Sequence, residues 1–455
     1  MAEKFDAVIL GGGISGLTAG LLLKQQGLKT VVLEATGRAG GSILTWQQDG
    51  FLFELGPNTV LNNTLEIDAL CDAAGLLESR LRAEPASTKR YIVKEGSLIP
   101  LPSGPLGFLA TPLFSWGAKM RLLKEPFIGR APKEVEETIA AFTRRRLGQE
   151  FLDYAVGPFV SGVYAGDPSR LSVRHATAKI YALEEKYGGL IKGALAKRKG
   201  PAPAGGLFSF PKGLETLPLV ISGTLGANWR PGRNITTVRK SEVGFVVEAL
   251  KSGTELETYE SRAVVTALPA ASVSEILAPL GGFFPDGIAS LPYADVAVVC
   301  MGFRREDVEH PLDGFGFLAP EVEGRHVLGC LFPSSLFPGR APRGQVALTA
   351  FVGGAVHPER AQADSGTILD RVLKDLRHLL GLRATPTLTR VEIWRPAIPQ
   401  YEVGHGAYKS AGESLERDNP GLFVAGNLLN GVSVGDCIKS ATKVAQRVAT
   451  FLRPG

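Results

Sequence analysis

Cysteine is scarce in this chain: four residues, Cys71, Cys300, Cys330 and Cys437, are spread over 455 positions, with no CxxC or CxxH pair among them. That spacing supplies neither a zinc-ligand set nor the framework of a disulfide-stapled secreted domain, and it suits a reducing, cytoplasmic setting. Long apolar runs are missing too. No uninterrupted stretch approaches the roughly 20 residues of a membrane-spanning helix, so integral membrane topology is not expected. The start, MAEKFDAVILGGGISG, leaves no room for a charged segment, an apolar segment and a cleavage site, and export is not expected either. Charge of one sign is not concentrated anywhere. Fifty Lys and Arg against 45 Asp and Glu leave +5, dispersed without a basic arm, which speaks against nucleic acid as a partner. No internal repeat is evident, which excludes a solenoid.

What is present is ordinary for a globular enzyme: 44% hydrophobic and 21% charged residues, with 55 glycines that imply many tight turns. The length exceeds the roughly 250–300 residues at which a single core stops growing, so two or three domains are expected.

The first legible motif is local. Phe5 to Leu10 is an apolar run of the kind buried in a parallel sheet, and it ends at Gly11-Gly12-Gly13-Ile14-Ser15-Gly16. A helix is expected from Ile14 to Gln26, closed by Gly27, and a second strand from Thr30 to Leu33, followed by Glu34 and Ala35. Gly11 permits the tight turn, Gly13 lets backbone approach a pyrophosphate, and Gly16 lets helix and strand pack closely. Glu34 stands where a carboxylate would bond the adenosine ribose hydroxyls and disfavour a 2′-phosphate. A glycine pattern alone recurs by chance; the strand before it, the helix after it and the acidic strand end make it a dinucleotide site.

Arg38-Ala39-Gly40-Gly41 and Ser42 follow, then Gly56-Pro57-Asn58-Thr59 after a strand-like run from Gly50 to Leu55. Taken alone, RxGG is an ordinary turn. After a βαβ unit it resembles the second FAD signature of the amine oxidase and phytoene desaturase superfamily, in which arginine and glycine backbone contact the pyrophosphate near the flavin. A third piece lies far off: Gly421 to Asn427, with Gly426 in its turn, then Gly431-Val432-Ser433-Val434-Gly435-Asp436-Cys437-Ile438 and a helix expected from Ile438 to Leu452. The amides at that helix start could receive negative charge developing on a reduced flavin, or the helix could simply dock the terminus.

Elsewhere, residues 234–248 and 263–268 read as strands returning to the cofactor sheet, and 294–303, 326–332 and 345–353 as a mixed sheet. Residues 100–200 read as mostly helical, with helices at 119–123, 135–147 and 176–186 and an exposed, mobile loop at 197–203. Within 101–130, Phe108, Trp116 and Phe127 accompany Lys119, Arg121 and Lys124. Such a mixture suits a membrane interface, the favoured reading, or a cap over an internal cavity.

Across nearly its whole length the chain resembles the oxygen-dependent protoporphyrinogen oxidase family. The resemblance is carried by Gly56-Pro57-Asn58, Lys89-Arg90-Tyr91-Ile92, Pro158 to Gly162, Gly314-Phe315-Gly316, Leu328 to Phe332, Phe351 to Gly354, Ile398 to Tyr401 and Asp436-Cys437-Ile438. It implies an α/β fold: a discontinuous Rossmann-like FAD domain (1–88, 205–275, 391–455), a mixed-sheet substrate domain (89–100, 276–390) and a helical, membrane-contacting domain (101–204). It implies non-covalent FAD, as no cysteine precedes a tyrosine in the covalent pattern, with backbone of Val238 on the adenine and Trp394 near the flavin. The implied activity is oxidation of a porphyrinogen by hydride transfer to flavin, then reoxidation by oxygen to hydrogen peroxide.

In the family, the arginine matching Arg90 pairs with a propionate, residues matching Leu318, Leu331 and Phe351 hold the pyrrole rings, and Gly162 matches a backbone contact on the opposite wall. Without that match Arg90 is a solvated turn cation and the other three are core. No side-chain base is implied, so Asn58 and His405 read as structural. Protoporphyrinogen IX and coproporphyrinogen III both remain open as substrates, as do an inner-membrane surface, a ferrochelatase receiving the product and a homodimer. The rival readings are another flavin oxidase or desaturase of the fold and a non-catalytic escort protein.

Overall fold

A computed structural model describes residues 2–132, 134–197, 205–281 and 287–453. The loop expected at 197–203 lies, beyond Lys197, outside the described residues.

The first sheet has the strand order Trp229–Arg230, Thr30–Leu33, Glu3–Leu10, Glu255–Thr266, Gly244–Lys251, Arg233–Ser241, and Leu422–Val424 also pairs with Glu255–Thr266. Glu3–Leu10 lies parallel to both Thr30–Leu33 and Glu255–Thr266. Its alternate residues enter different cores. Ala7 and Ile9 pack toward the helices, among Leu17, Leu21, Ile438 and Ala445, whereas Val8 and Leu10 pack on the other side with Val247 and Tyr259. Burial on both faces is why the run is continuously apolar. Helix Ile14–Gln25 packs on helices Val434–Leu452 and Thr216–Leu225, which matches its apolar character all round.

Residues 234–248 are a hairpin of two antiparallel strands, Arg233–Ser241 and Gly244–Lys251, turning at Glu242 and Val243. The run preceding Gly56 is not half-exposed: all four residues of strand Phe51–Glu54 are buried, because one side meets the second sheet.

That second sheet has the order Leu388–Pro399, Tyr293–Arg304, Gln345–Gly353, Val327–Leu331, Gly316–Leu318, Arg90–Lys94, Ser97–Pro100, and only Gly316–Leu318 with Arg90–Lys94 is parallel. One face, carrying Tyr91, Phe317, Cys330, Ala350 and Val299, packs with helix Ser365–Leu380 through Ile368, Val372 and Leu376. The other face packs on strand Phe51–Glu54 through Val296, Val298 and Cys300 and on the helical layer through Ile92 and Leu318. The return to the cofactor domain expected at 391 falls inside strand Leu388–Pro399, which pairs with Tyr293–Arg304 and so belongs to this sheet.

A helical layer covers one end. Its helices include Trp116–Leu122, Ile139–Arg146, Gly157–Tyr164 and Ala178–Tyr187, and the first two start earlier and later than the periodicity indicates because their caps decide it. Ser115 accepts from the Ala118 amide at 3.2 Å and Thr138 from the Ala141 amide at 3.1 Å. The stretch from Gln149 to Tyr164 widens into a π-turn at Leu152–Val156, just ahead of Gly157 and Pro158. Proline lacks the amide that would close the preceding turn. The layer is tied by a buried charge network: Arg146 meets Glu125 at 3.2 Å and Glu184 at 2.6 Å.

Candidate functional site

The parallel strands Glu3–Leu10, Thr30–Leu33, Glu255–Thr266 and Leu422–Val424 all end at one edge of the first sheet, where an α/β fold opens its ligand crevice. Gly11 turns there with φ +99, a conformation that L side chains rarely adopt, and a Cβ on Gly16 would run into the Gly11 carbonyl oxygen. Three distant segments converge on this turn. Gly13 forms a bridge with Gly40, and the Gly40 amide donates to the Gly12 carbonyl at 2.8 Å. A Cβ on Gly13 would meet nothing nearer than the Gly41 Cα, at 4.0 Å, so the space beside it is open for a bulky group. Gly56 lies so close to the Ser42 carbonyl that no side chain fits between them. Gly426, from the far end of the chain, stands beside Ala267 and the Ser15 hydroxyl. Trp394 reaches across from the second sheet and donates its indole N–H to the Leu55 carbonyl at 2.7 Å, bracing the Gly56-Pro57-Asn58-Thr59 turn.

The charged groups are committed locally. Glu34 accepts from the Gly12 amide at 2.7 Å and from the Thr36 amide and hydroxyl at 2.8 Å each, which pins its carboxylate beside the glycine turn. Arg38 donates to the Ile43 carbonyl at 3.1 Å and to that of Gly41, so its guanidinium shapes the loop that carries it. Ala35, Gly41 and Ser42 are exposed along the crevice rim. Val238 is fully buried among core side chains, which leaves only its main chain to face a ligand. At the last motif, helix Val434–Leu452 begins four residues before the expected Ile438, capped by Ser433, which accepts from the Asp436 amide at 3.1 Å. Val432 and Ser433 thus lead into a helix start that presents free amides. The glycine cradle, the pinned carboxylate and that helix start fit a dinucleotide with a flavin head. One participant escaped the sequence reading: Trp229 packs its ring over Gly12, where a Cβ would collide with it. A lone tryptophan in a two-residue strand carries no local signal.

The face of the second sheet turned toward this crevice is built from rows that cross the strands. Arg90 pairs with Gly316, Gly316 with Leu331 and Leu331 with Thr349; Ile92 pairs with Leu318, Leu318 with Gly329 and Gly329 with Phe351. Partners across a sheet share a face, and so do residues two apart along a strand. Arg90, Leu318, Leu331 and Phe351 therefore project together. Leu318, Leu331 and Phe351 are only partly buried, unlike the residues of the opposite face. Gly162, exposed on helix Gly157–Tyr164, stands directly against Leu318, whose Cδ2 would lie only 2.5 Å from a Cβ there. Lys89 is paired with Asp313, which also accepts from the Tyr91 hydroxyl at 2.6 Å, whereas Arg90 is exposed, rests over the Phe315 ring at 5.0 Å and has no ion pair among the described residues.

Asn58, His405 and two of the thiols are held in structural settings. Asn58 turns its amide onto the Gly56 carbonyl at 3.0 Å, and burial pushes His405 down to about 4. Burial likewise pushes the thiols of Cys71 and Cys437 up to about 11, so neither is a thiolate at neutral pH. Among the described residues no cluster could hold a metal ion.

Comparison with known proteins accords with this arrangement. Residues 14–449 match the family described as flavin containing amine oxidoreductase. The mitochondrial protoporphyrinogen oxidase of Nicotiana tabacum is 32% identical over 98% of this chain and 94% of its own length. The coproporphyrinogen III oxidase of Bacillus subtilis (strain 168) is 27% identical over 99% of both chains. The crystal structure of a protein provisionally called a protoporphyrinogen oxidase, from Exiguobacterium sp. 255-15, superposes with a TM-score of 0.83 at 25% identity, covering 99% of each chain. The cradle, the second sheet and these likenesses together place the chain in the flavin containing amine oxidoreductase family, in its protoporphyrinogen oxidase branch, as an oxidoreductase with FAD as cofactor.

Proposed function

We propose that the protein oxidises protoporphyrinogen IX to protoporphyrin IX in haem synthesis, consuming oxygen and releasing hydrogen peroxide. The observation that carries this reading is the crevice-facing side of the second sheet: Leu318, Leu331 and Phe351 flank Arg90, which has no ion pair among the described residues, with Gly162 opposite. A porphyrinogen is an apolar macrocycle with peripheral carboxylates, and it needs flat apolar walls and few cations. The names of the plant and bacterial relatives support the same class of substrate.

Held by the glycine cradle, Glu34 and the Gly426–Ser433 segment, FAD would supply the redox chemistry, uptake of hydride from a meso carbon and reoxidation by oxygen. The chain's own residues orient the substrate. Arg90 holds a propionate, Leu318, Leu331 and Phe351 press the ring system flat, and Gly162, whose missing side chain makes way for Leu318, offers its main chain to the opposite face. On this reading residues 1–88, 205–275 and 391–455, apart from the stretch up to Pro399 that joins the second sheet, hold the cofactor, residues 89–100 and 276–390 the substrate, and residues 101–204 form the helical part peripheral on the inner face of the cell membrane.

One unpaired cation on the substrate face suits the two propionates of protoporphyrinogen IX better than the four of coproporphyrinogen III; the Bacillus relative favours the latter. Porphyrin fluorescence measured in air with each porphyrinogen separates the two. Protoporphyrin formation above the spontaneous rate is expected. A rate enhancement confined to coproporphyrinogen overturns the substrate assignment, and a purified protein without flavin absorption overturns the whole reading.

A further inference from the structure

Strand Leu388–Pro399 and helix Gly406–Asp418 are joined by a short segment in which Gln400, Tyr401 and His405 are buried. Tyr401 and His405 are 2% and 1% exposed, with their rings stacked 4.2 Å apart. A buried phenol and a buried imidazole must find partners for their polar atoms. Both find them on one loop. The Tyr401 hydroxyl donates to the Asn427 carbonyl, and His405 Nε2 lies 3.2 Å from the Leu429 carbonyl. A carbonyl can only accept, so the proton resides on Nε2, and Nδ1 is left without a partner. The ring is neutral, as its burial requires.

Asn427 and Leu429 belong to the segment Gly426 to Ser433 that leads into helix Val434–Leu452. The stacked pair is itself anchored to the helical layer. The Ser172 amide donates to the Tyr401 carbonyl at 2.8 Å, the Val403 amide to the Arg170 carbonyl at 3.0 Å, and Glu136 accepts from the Gly404 amide at 3.1 Å. His175 sets its ring edge against His405 with centroids 5.4 Å apart.

We infer that Tyr401 and His405 are positioning residues: they hold two carbonyls of the flavin-bordering loop and tie that loop to the helical layer, so that helix Val434–Leu452 starts at the height the flavin requires. This rests on the reading of Gly426 to Ser433 as bordering the flavin. Neither side chain touches substrate or cofactor. Their effect passes through the loop.

Tyr401→Phe keeps the stacked ring and removes the hydroxyl; His405→Phe removes the N–H donor, and His405→Gln restores one. In Tyr401→Phe and His405→Phe, FAD content and KM are expected to stay within about twofold of wild type while kcat falls on the order of tenfold, because misplacement by a fraction of an ångström degrades hydride-transfer geometry. The flavin absorption bands and midpoint potential shift with kcat. His405→Gln recovers most of both, and the double variant Tyr401→Phe/His405→Phe loses little more than either single variant, since both act on one loop. Flavin-replete variants that melt earlier but keep wild-type kcat, spectrum and potential overturn the inference, because the pair is then only structural. Wild-type protein that binds no flavin overturns the reading of the loop, and this inference with it.

Discussion

Single residues carry the division of labour between cofactor and substrate. Arg90 lies outside every glycine motif of the crevice, and its guanidinium has no carboxylate partner among the described residues. Arg90→Ala is therefore expected to raise KM for the porphyrinogen roughly tenfold, the scale of one charge-assisted hydrogen bond, with FAD content unchanged. Steady-state kinetics beside a visible spectrum checks this, and simultaneous loss of flavin would refute it. Glu54 sets a different test. It is buried beside Arg340, accepts from the Thr45 hydroxyl at 2.7 Å and the Leu214 amide at 2.8 Å, and burial pushes its carboxyl from 4.5 up to about 7. The folded chain thus binds this proton more tightly than the unfolded one. The stabilisation is full below pH 4.5 and is lost as pH rises through about 7, a term on the order of 3 kcal/mol. Thermal unfolding from about pH 5 to pH 8 should show this decline in wild type and a flatter profile in Glu54→Gln. Equal slopes in the two proteins would contradict the assignment. Glu54 carries no local signal of its role, because its partners lie at 45, 214 and 340 and only the fold assembles them.

At the scale of elements, the helical layer depends on polar groups that hydrophobic periodicity does not reveal. Arg146 and Glu125 are fully buried, and Glu125 also accepts from the Leu190 and Ile191 amides at 2.8 and 3.1 Å. Removing one partner strands the others in a dry interior. Arg146→Met is expected to destabilise the protein by about 3–5 kcal/mol in chemical denaturation, and a cost under 1 kcal/mol would show that the network contributes little. The same blindness explains the helix boundaries. Periodicity locates the apolar face of a helix, whereas Ser115, Thr138 and Ser433 decide where the backbone begins to turn, and the start of the C-terminal helix is read correctly only once its cap is considered. The hairpin at 234–248 was legible as strand and not as two strands, because Glu242 and Val243 are unremarkable turn residues.

At the scale of the whole molecule, the apolar residues of 101–130 divide into two sets. Leu113, Phe114 and Phe151 form a small core, whereas Leu106, Trp116 and Phe127 are 83%, 67% and 88% exposed. Of the nearby cations, Lys119 is buried, donating to the Leu109 and Thr111 carbonyls at 2.8 Å each, whereas Arg121, which bonds the Arg144 carbonyl, and Lys124 are exposed. No helix among the described residues is long and apolar enough to cross a membrane. An exposed apolar surface of this kind predicts reversible, peripheral attachment. The protein should sediment with vesicles containing anionic lipid, and Leu106→Ser/Phe127→Ser should remain in the supernatant with its flavin spectrum intact. A double variant that sediments as wild type does would assign these residues to something other than the membrane.

The sequence by itself determined a dinucleotide site, which the family resemblance of its second motif narrowed to FAD. The turn at Gly11–Gly16, Glu34 and Arg38–Gly41 lies within about forty consecutive residues, and a dinucleotide crevice is made by backbone turns whose requirements, no Cβ here and a carboxylate there, are written locally. The substrate wall was decided by tertiary structure. Arg90, Leu318, Leu331 and Phe351 come together because strands from separate parts of the chain pair in one register, and register is a property of the assembled sheet. In isolation each of the three apolar residues is indistinguishable from core, and only the half-exposed face on which they land marks them as a wall.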